Sequence, residues 1–308
     1  MRIAILGIGG VGGYLGAMLA RKYQQVSGVE IIFLARGENE KVIREKGITL
    51  ITPQEEFTAQ PHLVTNNPAN AGEFDFLVCT VKSYDLESSL GAYRSCITSR
   101  TVILPLLNGV DATERIQTLF PAAEVWDGCV YIIARLIEPG IVKESGNIHS
   151  FYFGSALASP DKLRCFLDIL TDAGVEAYLP ENIRAVTWEK FFFISPVASL
   201  TSYFDRPIGE ILDDESCRNH LLQLLDELKA VTDAGGVGLP DDIIPKTLAK
   251  IEQMPKEATS SMHSDLKKGG RTEYRSLTEY IVAIGDAVNV PTPLYGRILA
   301  ELKAKTGD

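Results

Sequence analysis

The opening stretch, MRIAILGIGGVGG, constrains the chain more than any other part of it. Arg2 to Leu6 is a short apolar run rich in isoleucine, the length of one buried strand. It leads straight into Gly7-Ile8-Gly9-Gly10-Val11-Gly12, which fits G-x-G-x-x-G, and Gly13 to Tyr23 then reads as a helix. A strand, a glycine turn and a helix in that order form the context in which this spacing means dinucleotide binding. Each glycine has its own reason. Gly7 lets the chain turn out of the strand, Gly9 lets backbone approach a pyrophosphate, and Gly12 lets the helix pack closely on the strand. The phosphates belong at the helix N-terminus, where free N–H groups and the macrodipole favour negative charge.

After that helix the first half alternates strands and helices. Strands are expected at Glu30–Leu34, Ile48–Thr52, His62–Thr65, Asp75–Val81 and Val102–Leu107, with helices at Tyr84–Tyr93 and Ala112–Leu119. The near-continuous apolar runs FLVCTV and VILPLL fit strands buried on both faces of a parallel sheet. In such a sheet the ligand crevice lies at the carboxyl ends of the strands, so Arg36, Lys82 and Asn108 are expected to face the cofactor. Arg36 ends the second strand, where an acid would select NAD and an arginine accommodates a 2′-phosphate. It points to NADP, with Glu38 nearby weighing the other way. From Trp126 to Gly154 the pattern reads as antiparallel strands added at the sheet edge, with Pro139-Gly140 as their turn. A helix at Asp161–Ala173 and a short strand at Val175–Leu179 come next, and Pro180-Glu181-Asn182 marks the domain boundary.

Composition narrows the partners. A chain of 308 residues is comfortable for two domains, expected at 1–180 and 181–308. A net charge of −10 argues against nucleic acid or an anionic membrane surface. Five scattered cysteines without C-x-x-C and four histidines without ligand spacing indicate neither a disulfide framework nor a metal site. Free thiols suit a reducing compartment. The glycine-interrupted N-terminus does not read as a signal peptide, and no run reaches the roughly 18 apolar residues of a membrane span. The expectation is a soluble cytoplasmic protein, a monomer or a homodimer.

The second half reads as all helix. Ile183 to Phe204 is too apolar to lie on a surface, yet it carries Lys190 between Trp188 and Phe191-Phe192-Phe193. Such a lysine either snorkels to water or is held in a cleft, where desolvation suits it to proton transfer. Further helices are expected at Asp214–Ala234, Asp241–Gln253, Ala258–Asn289 and Leu294–Lys305, the third containing a charge run from Asp265 to Glu273 that reads as a solvated face.

Five motifs come in order: the glycines at 7, 9 and 12, V-K-S at 81–83, L-N-G at 107–109, W-E-K at 188–190, and S-S-M-H-S-D with R-T-E between 260 and 273. In this the chain resembles the ketopantoate reductase (2-dehydropantoate 2-reductase) family from end to end. The resemblance implies an α/β N-terminal Rossmann-type domain, an all-α C-terminal domain and a cleft between them. It also implies NADPH-dependent reduction of 2-dehydropantoate to (R)-pantoate, on the route to pantothenate and coenzyme A. Lys190 matches the family's catalytic lysine and Glu273 the acid beside it, while Asn108 and Ser261 match residues that contact substrate or position the lysine. Arg36 and Lys82 match the basic pair near the adenosine phosphate. Ile194 and Ala198 stand where asparagine is common, implying either a less polar 2-keto acid or that Ser195, Ser199 or Thr201 supplies the polar contacts. Glu279 replaces a helix-packing glycine. Two readings stay open: a reductase, and a non-catalytic NADP(H)-binding sensor of the same fold.

Overall fold

A computed structural model describes residues 1–307, position 147 by its backbone alone. The chain forms two compact units, Met1–Leu107 with Ala112–Ile183, and Asn108–Asp111 with the residues from Arg184 onward. The first unit ends at Ile183, and the segment 108–111 groups with the helices. Side-chain hydrogen bonds tie that segment to the helices, Lys190 donating to Asn108 and Ser276 to Asp111.

The first unit runs β1 (Arg2–Leu6), α1 (Gly10–Tyr23), β2 (Glu30–Leu34), α2 (Gly37–Lys46), β3 (Ile48–Ile51), β4 (Glu56–Ala59), β5 (Leu63–Thr65), α3 (Pro68–Ala71) and β6 (Phe76–Cys79). A 3₁₀ turn at Ser83–Asp85 leads into α4 (Leu86–Ala92), then β7 (Val102–Pro105), α5 (Ala112–Leu119) and β8 (Glu124–Val125). The unit closes with β9 (Asp127–Glu138), β10 (Ile141–Gly154), α6 (Pro160–Asp172) and β11 (Glu176–Tyr178). Six strands form a wholly parallel sheet in the order β5-β2-β1-β6-β7-β8. Its strand order reverses between β1 and β6, which sets the crevice at their carboxyl ends. Strand β1 is buried on both faces: Ile3 and Ile5 join one apolar cluster, Ala4 and Leu6 another.

The expected hairpin is present, β9 pairing antiparallel with β10, but it does not extend the first sheet. It belongs to a second sheet in the order β11-β10-β3-β4, and α1 lies between the two sheets. Small residues on α1 permit this. A Cβ on Gly16 would come within 2.7 Å of the Phe33 ring in the first sheet, and one on Gly13 would overlap Val142 in the second. The long strands of the hairpin therefore cover the far side of α1, burying Val142 and Phe151 there.

The second unit contains α7 (Ile183–Phe204), α8 (Ile208–Asp213), α9 (Glu215–Ala234), α10 (Ile243–Glu252), α11 (Ser261–Lys267), α12 (Tyr280–Ala287) and α13 (Pro293–Thr306). Helix α7 has the expected bounds, and Pro196 inside it does not end it. The single helix expected over Ala258–Asn289 is instead broken. Helix α11 stops at Gly269, whose φ of +66° suits a glycine helix stop, and its amide donates back to Leu266. A π-helical turn over Arg275–Glu279 then precedes α12. The charge run is solvated from Lys267 to Arg271 and buried from Thr272 to Tyr274. A buried cluster including Phe192, Leu200, Leu221, Leu228, Ile281 and Ile298 binds the helices together. Among the described residues no helix is long and apolar enough to cross a membrane.

Candidate active site

In the first unit the glycine turn is a crowded backbone fold. Gly7 has φ +95°, and a Cβ there would stand 2.8 Å from the Val81 side chain. A Cβ on Gly12 would overlap the Gly7 carbonyl and the Thr80 hydroxyl, and one on Gly10 would overlap the Ala134 carbonyl of β9. Gly9 alone faces open space, with nothing within 4 Å of its Cβ position. Helix α1 begins immediately after it, with no side chain capping its first amides and no acid in its first turn. Its N-terminus therefore presents free N–H donors beside an open approach, which fits a dinucleotide's pyrophosphate.

Two supporting residues of this turn escaped the sequence reading. The Thr80 hydroxyl, one residue past β6, donates to the Gly7 carbonyl at 2.6 Å. Asn39, in a helix the reading did not mark, donates to the Ile8 carbonyl at 2.9 Å and accepts from the Gly140 amide at 2.7 Å. Polar residues that brace backbone from elsewhere in the chain carry no periodicity, so spacing alone offers no signal for them.

Arg36 comes after β2 and is exposed. Its guanidinium pairs with the Asp85 carboxylate at 2.9 Å. Asp85 ends the 3₁₀ turn that Lys82 opens, its amide donating to the Lys82 carbonyl at 2.9 Å. The expected basic pair is thus drawn to one place, with an acid that the sequence reading did not include. Arg115 of α5 fixes the same turn, donating to the Ser83 carbonyl and holding Glu87 by two bonds of 2.7 and 2.9 Å. That contact lowers the Glu87 carboxyl below its ordinary range.

In the second unit Lys190 is only 7 % exposed on α7, and its ammonium donates to Asn108 Oδ1 at 3.1 Å. Of the residues named for substrate, Asn108 and Lys190 are therefore joined directly. Glu273 is buried, and its carbonyl accepts from the amides of Ser276 and Leu277 at the start of the π-helical turn. Ser261 is exposed on the first turn of α11. Its neighbour Ser260 caps that helix by accepting from the His263 amide at 3.0 Å. A buried ammonium held in this way can donate a proton or stabilise a developing oxyanion.

The hydroxyls expected to stand in for the missing amides point elsewhere. Ser195 donates to the Leu277 carbonyl at 2.6 Å and meets the Tyr295 hydroxyl at 2.9 Å. Ser199 bonds Thr278, and Thr201 bonds Ser260 and its own helix. All three are fully buried, so they are committed to helix packing rather than to a ligand. Ile194 is half-buried and Ala198 buried. Glu279, in place of the packing glycine, turns outward and pairs with Lys303 of α13 at 2.5 Å.

The parallel sheet, the glycine turn and the separate helical unit with its buried lysine define a Rossmann-type dinucleotide-binding oxidoreductase. Two family models match the chain, Ketopantoate reductase PanE/ApbA over residues 3–157 and Ketopantoate reductase PanE/ApbA C terminal over residues 182–306. The chain belongs to the ketopantoate reductase family. Among solved structures it is similar to a 2-dehydropantoate 2-reductase from Porphyromonas gingivalis, with 38% identity, a TM-score of 0.85, and coverage of 98% of this chain and 99% of that one. It is 25% identical over 98% of both chains to the uncharacterized oxidoreductase YkpB of Bacillus subtilis. It shares its fold, at 24% identity and a TM-score of 0.86, covering 100% of this chain and 99% of that one, with a D-mandelate dehydrogenase solved with NADH and anilino(oxo)acetate.

Proposed function

We propose that this protein is an NADPH-dependent reductase of a 2-keto acid, with 2-dehydropantoate as substrate and (R)-pantoate as product, serving pantothenate and coenzyme A synthesis. The observation that carries this reading is the buried Lys190 with its ammonium bonded to Asn108 at 3.1 Å. A packed apolar helix does not keep a lysine without a use, since a buried ammonium is costly unless it is satisfied.

Bound NADPH supplies a hydride to the keto carbon. The protein's own groups do the rest. The glycine turn and the free amides of α1 hold the pyrophosphate, and Arg36 and Lys82 take the 2′-phosphate. Asn108 accepts one ammonium hydrogen of Lys190 and so directs the others, because an ammonium has three donors and no acceptor. Lys190 stabilises the negative charge growing on the carbonyl oxygen and then protonates it. Glu273 keeps the lysine charged against its apolar wall. Ser261 offers an exposed hydroxyl to the substrate. Retention of both Lys190 and Glu273 favours an enzyme over a sensor, which would need neither.

A second substrate reading rests on its own observation. With Ser195, Ser199 and Thr201 turned into the helix packing, nothing polar on that face replaces the asparagines of the family pattern at Ile194 and Ala198. A 2-keto acid with fewer polar groups than ketopantoate suits that wall, since a site built without amides loses nothing on an apolar side chain. Initial rates of NADPH oxidation with ketopantoate, branched-chain and aromatic 2-keto acids decide between the two. Preference for ketopantoate by kcat/KM supports the first reading, preference for an apolar acid the second. NADPH binding without turnover of any acid overturns both in favour of the sensor.

A further inference from the structure

The turn Arg275–Glu279 is π-helical, and the chemistry above makes no use of it. Three successive residues of this turn grip different neighbours. Ser276 donates to Asp111 Oδ2 at 2.9 Å, the Leu277 carbonyl accepts from Ser195 at 2.6 Å, and Thr278 shares a 2.8 Å hydrogen bond with Ser199. A π-turn makes this possible. It widens the helix by one residue, rotates the residues beyond it, and leaves a carbonyl open to an outside donor, which is why such turns cluster at functional sites. Serines at 195 and 199 lie one turn apart on α7, the helix that also carries Lys190, five residues before Ser195. Glu273 lies just before the π-turn.

The fourth participant is the segment 108–111. Gly109 has φ +104°, and a Cβ there would stand 2.7 Å from Asp111 Oδ1 and 3.1 Å from Ser276 Cβ. Only glycine lets this segment lie down on the turn. Asp111 and Ser276 are both buried, 7 % and 1 % exposed, so their bond is shielded from competing water. Three residues before Asp111, Asn108 delivers its oxygen to the Lys190 ammonium.

We infer that Asp111 and Ser276 are positioning residues: their buried hydrogen bond latches the 108–111 segment onto the π-turn and so holds Asn108 in line with Lys190. The inference rests on the reductase reading for its kinetic consequence, but not for the latch itself. Neither residue touches the reacting atoms; both act through Asn108.

The test compares Ser276→Ala, Asn108→Ala and the double variant in the reductase assay, with hydrogen exchange monitored in parallel. Ser276→Ala should lower kcat about tenfold, the scale of one hydrogen bond to a charged group, and leave the KM for NADPH unchanged. The double variant should be no slower than Asn108→Ala, because residues acting through one another are not additive. Exchange at the amides of Gly109, Val110 and Asp111 should quicken in Ser276→Ala while α9 and α13 keep their protection. Multiplicative losses in the double variant, or parental kcat in Ser276→Ala, overturn the positioning role. Unchanged exchange at 109–111 overturns the latch, whether or not the parent turns over any keto acid. A parent with no turnover removes the reductase reading alone, and the exchange result then decides the latch. Should Ser276→Ala lose protection throughout, Asp111→Ala, which removes the acceptor instead of the donor, carries the same comparisons.

Discussion

The glycine turn and the lysine centre are both tightly packed, and they are built in opposite ways. The turn occupies six consecutive residues, and its tolerances are set by backbone: Gly12 cannot grow because the Gly7 carbonyl is in the way. The lysine centre is drawn from three distant stretches, 108–111, 190–199 and 273–278, joined by side-chain hydrogen bonds. A site made of backbone leaves a pattern of required glycines at fixed spacing. A site made of side chains leaves isolated polar residues in apolar helices, each of which looks odd alone and gains meaning only when the fold brings them together.

The largest effect expected from breaking this contrast is at Lys190. Lys190→Ala should lower kcat on the order of a thousandfold, within the range for a general acid that also stabilises charge, while NADPH binding is retained. Rapid-mixing kinetics and NADPH titration on one preparation check both halves. Near-parental turnover would mean that another group protonates the alkoxide.

Gly12→Ala tests the backbone site in the same way. The added methyl meets the Gly7 carbonyl, the Thr80 hydroxyl and the Ile5 side chain. Backbone has to move, so the expected loss is about 3 kcal/mol of stability with NADPH affinity falling alongside. Denaturant melts with and without NADPH measure it. A variant that stays stable and binds normally would show that the turn has slack the distances deny.

These two tests also mark the reach of the sequence. Strands β1 and β2 and helices α5 and α7 have the bounds expected from apolar runs and caps, because local pattern determines them. The second sheet was not legible, since β3, β4 and β11 are short, and β3, with β4 paired to its other edge, joins a hairpin far along the chain. The break at Gly269-Gly270 had its local signal, but helical periodicity on either side masked it. Asn108 at a strand's end and Lys190 in an apolar helix stood out from their own positions, while Glu273, in a run that read as a solvated face, was named through the family resemblance alone. The bond between Asn108 and Lys190, and the loss of Ser195, Ser199 and Thr201 to packing, are tertiary facts that no spacing encodes.

The packing of α1 gives a third, smaller expectation. Tyr14 lies under β10, stacked on Phe151 at 6.0 Å between ring centroids. Burial, aided by Glu144 and Glu176, pushes its hydroxyl up to about 12 from 10.0. The phenol is therefore neutral in the folded protein over a range in which the unfolded chain ionises. Its contribution is intact below the unfolded value and is lost as pH rises from 10 towards the folded value of about 12. The loss should approach 2 to 3 kcal/mol, roughly 1.4 kcal/mol per pH unit. Tyr14→Phe should flatten that alkaline limb in melts between neutral pH and strong alkali. An identical limb in both proteins would assign it to other groups.

The smallest effect concerns which dinucleotide the first unit prefers, and it turns on an acid that neither glycine spacing nor strand pattern reveals. Arg36 is 81 % exposed and paired with Asp85, so without cofactor its charge is partly spoken for. A 2′-phosphate must compete with that carboxylate. Exposed pairs contribute at most about 1 kcal/mol, so the competition is mild and the phosphate, with its two charges and several acceptor oxygens, should win. Arg36→Ala should weaken NADPH about tenfold and leave NADH nearly unchanged, because only the phosphate uses the guanidinium. Asp85→Asn should act in the other direction, tightening NADPH a few-fold by freeing Arg36 and easing the repulsion of a nearby negative charge. Titrations of both cofactors against parent and variants read the two changes together. Equal losses for NADPH and NADH in Arg36→Ala would show that the arginine serves the adenosine or the fold rather than the phosphate. An Asp85→Asn variant that favours NADH would place the acid, not the arginine, at the ribose.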